Sequence, residues 1–277
     1  MERLNSMDNT VLQTIGDDMR PVYQTMLDMN CGLQVVCVEN IPWKEYEKEE
    51  AIIWYLDEDS YKNERGILFI RGDELEHVVE ILKRSIGDIE NVITIIDNTK
   101  TMFLHSLSRK RVLNLYQALI DICDDLEIKC PSLLFRNSIY FEDKRAVHTK
   151  VFDEEDNYKG DWVWVRGQGY YYMLQSLAHE LRHMYQQKND ENFFKNYITP
   201  EEDRRANSHS EVEIDANAYG VLFVEWITGK NGLKYAFDNV TEYNHPYWTD
   251  LKILIKSRMD KIRKQEGVFK DKRPKTA

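Results

Sequence analysis

The residues best suited to chemistry in this chain form the pentapeptide His179-Glu180-Leu181-Arg182-His183, in which two imidazoles flank a carboxylate. Helical periodicity surrounds it from Tyr170 to about Lys188. At about 100° per residue, the two histidines differ by about 40° on the helical wheel, while Glu180 projects about 100° from His179. Both rings can therefore reach one ion. Leu174, Leu177, Leu181 and Tyr185 cluster on the opposite side, so a core face is separated from a ligand face. Zinc suits these residue types. Neutral imidazole nitrogens and one carboxylate make a three-ligand site with a fourth position for water, whose pKa the metal brings toward about 7. Glu180 beside that water is suited to act as general base, taking the proton during attack on a polarised carbonyl and returning it to the leaving amine. The structural alternative is two helix histidines satisfied by carboxylates, which requires no division into two faces.

A third ligand must come from another element, and a second helical stretch from about Ser210 to Thr228 offers Glu211, Glu213 and Asp215. Val212, Ala216, Tyr219, Phe223 and Trp226 define its buried face. Glu213 borders that face with Asn217 beside it, Glu211 points nearly away, and Asp215 borders the other edge. Two N-terminal caps compete. Ser210-x-x-Glu213 reads as a capping box, which would tie Glu213 to the backbone, whereas Ser208-x-x-Glu211 would supply the same cap and release Glu213. The second start is preferred, because the metal needs a carboxylate facing the core.

The elements that must carry these groups follow from pattern changes along the chain. Residues 10–30 read as helix and Leu33–Val38 as a strand. Then come strands over Ala51–Leu56 and Ile67–Ile70, a helix over Asp73–Ser85 and a strand over Val92–Ile96, a small α/β layer. Ser108 opens a helix through Val112, Leu115, Leu119 and Ile122, which Pro131 closes off. Alternating segments at 132–141, 146–152 and 162–166 read as neighbouring strands, with an acidic turn at 153–156. The last of them, Trp162-Val-Trp-Val-Arg166, is either a sheet edge that binds an extended peptide or an aromatic core strand. The two site helices come next, the second ending at Gly229, and a helix from Trp248 to about Lys264 precedes a frayed basic end. The expected organisation is α+β: an N-terminal α/β region over 1–105, a block over 106–230 that carries the chemistry, and a C-terminal helix and tail over 231–277.

Composition restricts the function classes. In 277 residues there are 37 Lys+Arg against 48 Asp+Glu, and the net charge is -11. Nine Lys/Arg against three Asp/Glu fall in residues 256–277, so the remainder carries -17. An acidic body disfavours nucleic acid, leaving only the tail for it. The longest apolar runs fall far short of the roughly 18–20 residues needed to cross a bilayer. The N-terminus shows neither a basic nor an apolar leader region, so a cytoplasmic location is expected. Cys31, Cys37, Cys123 and Cys130 form no CxxC pair and are expected to be reduced core thiols.

The pairing of Ala178-His-Glu-Leu-Arg-His183 with Glu213-Ile-Asp-Ala-Asn-Ala-Tyr219 resembles the gluzincin metallopeptidases, with the ImmA/IrrE-like small domains nearest in layout. The resemblance covers about residues 108–228. It implies a zincin-like core of helix, small mixed sheet, HExxH helix and glutamate helix. It further implies Zn2+ held by His179, His183 and Glu213, Glu180 as general base, Asn217 as a hydrogen-bonding group behind the ligands, and a protein or peptide substrate. Gly220 stands where the family usually has a small Ala, and residues 1–105 resemble nothing comparable. The alternative function is a non-enzymatic regulatory protein on a gluzincin fold that binds a protein or nucleic-acid partner. His209, Tyr197 and Tyr170–Tyr172 are weaker candidates for stabilising an oxyanion and receive no catalytic role. His77, His105, His148 and His245 are isolated.

Overall fold

Runs of β-branched residues become strands, and the amphipathic stretches become helices, in a computed structural model that describes residues 18–98, 107–136, 146–152, 158–167, 169–190, 192, 200–237, 246–265 and 269. In chain order the elements are α1 (Arg20–Asp28), β1 (Gln34–Val38), β2 (Ala51–Tyr55), α2 (Glu58–Lys62), β3 (Ile67–Arg71), α3 (Leu75–Gly87), β4 (Ile93–Ile96), α4 (Arg109–Asp125), β5 (Ser132–Arg136), β6 (Ala146–Phe152), β7 (Tyr158–Arg166), α5 (Tyr170–Asn189), α6 (Pro200–Ser208), α7 (Glu211–Thr228), α8 (Gly232–Phe237) and α9 (Pro246–Gln265). The class is α+β, as expected. Parts of the expected helix over 10–30 and strand over 132–141 lie outside the described residues, as does the boundary near 105. Among the described residues, no helix is long and apolar enough to cross a membrane.

By compactness the chain forms two units, residues 1–120 with 129–167, and residues 121–128 with 168–277. The strands β5–β7, expected to group with the site helices, belong to the first unit. Their side chains explain it. Leu134, Trp162 and Trp164 are buried in one cluster with Val36, Trp43, Ile52, Trp54 and Phe69, so two sheets share an aromatic core. One sheet has the order β1-β3-β2-β4, and the other β5-β7-β6. Phe135 N–H donates to the buried Gln34 side-chain oxygen at 3.3 Å, joining β5 to β1. The stacked rings of Tyr23 and Tyr116, 4.8 Å apart, serve the strand ends: the Tyr23 hydroxyl accepts from Leu133 N–H at 2.7 Å, and the Tyr116 hydroxyl accepts from Val35 N–H at 2.9 Å. All four cysteines are buried and unbridged, and burial pushes the Cys37 thiol up to about 12.

The position of β7 decides one of the sequence alternatives. It pairs with β5 on one side, Trp162 opposite Ser132, and with β6 on the other, Thr149 opposite Trp162. A central strand has both rows of backbone groups engaged and offers no edge for peptide addition, so the aromatic core reading applies.

In the second unit α7 packs against both α5 and α9. Burial therefore extends beyond the expected stripe to Ala218, Val221, Leu222 and Val224, as befits a helix enclosed by others. Gly220 permits the approach of α5: a Cβ there would stand 2.7 Å from the Gln175 carbonyl oxygen. Gly229 closes α7 in the left-handed region at φ 66°, where its N–H donates to Glu225 O. The tail departs from expectation. Phe269 sets its ring 5.2 Å from Tyr219 and from Trp226 and 5.7 Å from Phe223, so this residue packs on α7, and the rest of the basic end lies outside the described residues.

Candidate metal centre

His179 and His183 stand one turn apart on α5 with their rings edge to face, centroids 4.6 Å apart. Their Nε2 atoms approach to 3.0 Å. From α7, Glu213 presents Oε2 at 3.3 Å to His179 Nε2 and Oε1 at 3.4 Å to His183 Nε2. One ligand atom from each of the three residues lies within 4.8 Å of the others, a grouping able to hold a metal ion. An ion bound tetrahedrally at roughly 2.0–2.1 Å holds its ligand atoms about 3.3 Å from one another, and each imidazole nitrogen has one carboxylate oxygen of Glu213 at a separation of that size, Oε2 for His179 and Oε1 for His183. The donor set, two imidazole nitrogens and a carboxylate oxygen, is also that of known catalytic zinc sites.

The local sequence explains how Glu213 reaches the histidines. Ser210, in an extended conformation, caps α7: its hydroxyl accepts from Glu213 N–H at 3.3 Å. The preferred start at Ser208 is thus corrected, since the Ser208 hydroxyl instead donates to Arg205 O. The reciprocal half of a capping box is nonetheless replaced. Ser210 N–H donates to Asn207 O, and the Glu213 carboxylate turns to the imidazoles. The cap and the ligand role therefore coexist on one residue, because the cap uses its backbone and the metal site its side chain.

Charge is concentrated in this site. Burial opposes a charged His183 ring, but the hydrogen bond and charge of Glu213, with the charge of Glu180, overcome it and raise the pKa to about 9. Burial likewise works against the Glu213 carboxylate, and the two histidines more than compensate, holding it well below the usual carboxylate range. Glu180 is half-buried on α5, and Glu211 is exposed, as its wheel position required. Asn217 donates its side-chain amide to Glu213 O at 2.8 Å on its own helix, so it steadies the ligand through the backbone.

Behind the donors lies a polar cluster that the sequence reading did not assign. Gln186 Oε1 lies 2.8 Å from His183 Nδ1, and its amide nitrogen donates to Asp215 Oδ2 at 2.7 Å and to Val212 O at 3.1 Å. Arg182 binds Asp215 through two nitrogens, at 2.7 and 3.2 Å, and Arg258 from α9 adds a bond at 2.6 Å. Burial raises the Asp215 pKa, but the two guanidiniums outweigh it and hold the carboxyl below its ordinary value. The Arg182 guanidinium also lies over the rings of Tyr185 and Tyr219, 4.5 and 5.2 Å from their centroids. The available sequence signal was Asp215 at the edge of the buried face, with Arg182 inside the motif; only their pairing was missing.

Of the weaker candidates, His209 directs Nδ1 at Arg205 O, 3.0 Å away, and His148 pairs with Asp161 at 2.7 Å. His77 is exposed, whereas His105, His245 and Tyr197 lie outside the described residues. No family model, curated protein or solved structure matches the chain.

Proposed function

We propose that the chain is a zinc-dependent hydrolase, a peptidase of gluzincin type on a zincin-like core, with Glu180 as its general base. The observation that carries the proposal is the convergence of His179, His183 and Glu213, with one ligand atom from each within 4.8 Å of the others. Bound there, zinc supplies Lewis acidity, which polarises a carbonyl and lowers the pKa of a water molecule. The chain's own groups do the rest. Glu180, next to His179 and half-buried, accepts the proton that the attacking water gives up and hands it to the departing amine. Glu213 brings the negative charge that offsets a cation in a buried setting, and His179 and His183 bring neutral donors on one rigid helix. The choice of a peptide bond rests on the resemblance of the two helix motifs to the gluzincin metallopeptidases.

Metal analysis of the purified protein tests the proposal. After zinc-replete expression and desalting, close to one zinc per chain is expected, with loss of the ion in His179→Ala and His183→Ala. A folded wild-type protein that holds no zinc overturns the reading. One that holds zinc but cleaves no member of a peptide library supports the regulatory alternative.

A further inference from the structure

The amide of Gln186 has one possible orientation, and that orientation selects a tautomer of His183. Its nitrogen faces two groups that only accept, the Asp215 carboxylate at 2.7 Å and the Val212 carbonyl at 3.1 Å. Turning the amide over would set its oxygen against both, leaving two buried lone-pair clashes. The oxygen therefore faces His183 Nδ1, 2.8 Å away, and since a carbonyl oxygen cannot donate, Nδ1 must carry the proton of that contact. In a neutral ring the lone pair then belongs to Nε2, the nitrogen that faces His179 and Glu213.

What holds the amide in place reaches well beyond the motif helix. Asp215 is gripped at both oxygens by Arg182 on α5 and at Oδ1 also by Arg258 on α9, so three helices of one unit meet at this carboxylate. It lies in a buried setting, with side-chain exposures of 3% for Arg182 and 10% for Asp215, where a misplaced hydrogen bond has no water to replace it.

We propose that Gln186, Asp215 and Arg258 are positioning residues for the metal centre: Arg258 and Arg182 fix Asp215, Asp215 fixes the Gln186 amide, and the amide holds His183 with Nε2 as donor. The C-terminal helix α9 is in this way part of the site, although none of its residues is a ligand. The proposal rests on the metal reading above and adds the requirement for this outer chain of hydrogen bonds, whose loss in other metalloproteins costs about 10–100-fold in affinity.

The test uses the full chain, with zinc affinity measured by chelator competition and the visible spectrum of the cobalt(II)-loaded protein recorded alongside thermal melts. Gln186→Met keeps size and neutrality but removes both the acceptor and the donor. It is expected to weaken zinc about 10–100-fold and to alter the cobalt spectrum, which reports ligand geometry. Arg258→Met is expected to change both readouts in the same direction by a smaller factor, with Arg258→Lys recovering most of the loss. Lys261→Met, at an exposed α9 position outside the cluster, serves as the control and should match the wild type. Asp215→Leu is avoided as the main probe because it strands a buried guanidinium and endangers folding. Folded Gln186→Met and Arg258→Met proteins with wild-type affinity and an unchanged cobalt spectrum overturn the positioning role while the zinc reading stands. A wild-type chain that takes up neither metal overturns both.

Discussion

Glu211 and Glu213 differ by two positions on α7, a rotation of about 200°, and that rotation turns one to solvent and the other to the two imidazoles. Glu213→Gln exchanges the charged ligand for a neutral amide, a poor zinc donor that leaves the cation less compensated. Zinc affinity is expected to fall by at least the about 10–100-fold seen on losing an outer hydrogen-bond partner, whereas Glu211→Gln leaves it unchanged. Equilibrium dialysis against a zinc buffer distinguishes the two, and the reverse result would reassign the third ligand. Glu180 requires a different readout. Glu180→Gln preserves shape and removes the proton acceptor, so zinc content should persist while turnover of a cleaved peptide drops by about 10²–10⁴-fold. Undiminished turnover in that variant rules out Glu180 as the base.

At the scale of elements, the site depends on how closely two helices approach. His179 and His183 ride on α5 and Glu213 on α7, and at Gly220 on α7 the backbone of α5 is so close that a Cβ would stand 2.7 Å from Gln175 O. Even a methyl group there has no room. Gly220→Ala is therefore expected to push the helices apart, costing about 1–3 kcal/mol as overpacking does, and to weaken zinc binding although the residue touches no ligand. Urea denaturation paired with a zinc titration measures both effects, and a variant as stable and as zinc-avid as wild type would show that the helices tolerate the separation. Backbone proximity thus explains the glycine at this position.

Across the molecule, the C-terminal region contributes at two points, Arg258 at Asp215 and Phe269 at the aromatic cluster of α7. The basic end shows no apolar periodicity, and a frayed end would be dispensable. One aromatic ring suffices to change that. Truncation before Gly267, or Phe269→Ala alone, is expected to destabilise the protein by about 1–2 kcal/mol, part of the roughly 1.5–3 kcal/mol that full burial of such a ring contributes. Calorimetry of the full and shortened chains decides the matter: identical melting temperatures would mean that the ring contacts add nothing in solution.

The grouping of His179, His183 and Glu213 was legible in the sequence because its geometry is local. Two histidines at i and i+4 share a face of any α-helix, whatever surrounds it, and the same periodicity turned Glu213 inward and Glu211 outward. Strand positions followed from β-branched runs, and Gly229 marked the end of α7, again from short-range sterics. Other features were decided by residues distant in the chain. The central position of β7 depends on pairing with β5 and β6, and no property of Trp162–Arg166 alone distinguishes a middle strand from an edge. The cap at Ser210 and the inward carboxylate coexist because the fold gives the backbone and the side chain of Glu213 each its own partner, which the spacing Ser210-x-x-Glu213 alone does not reveal. The Arg182–Asp215–Gln186 cluster could not be read either. Its members become neighbours only when α5 and α7 close on Gly220 and α9 delivers Arg258, and only burial of that cluster turns three ordinary polar residues into a fixed hydrogen-bond direction at His183.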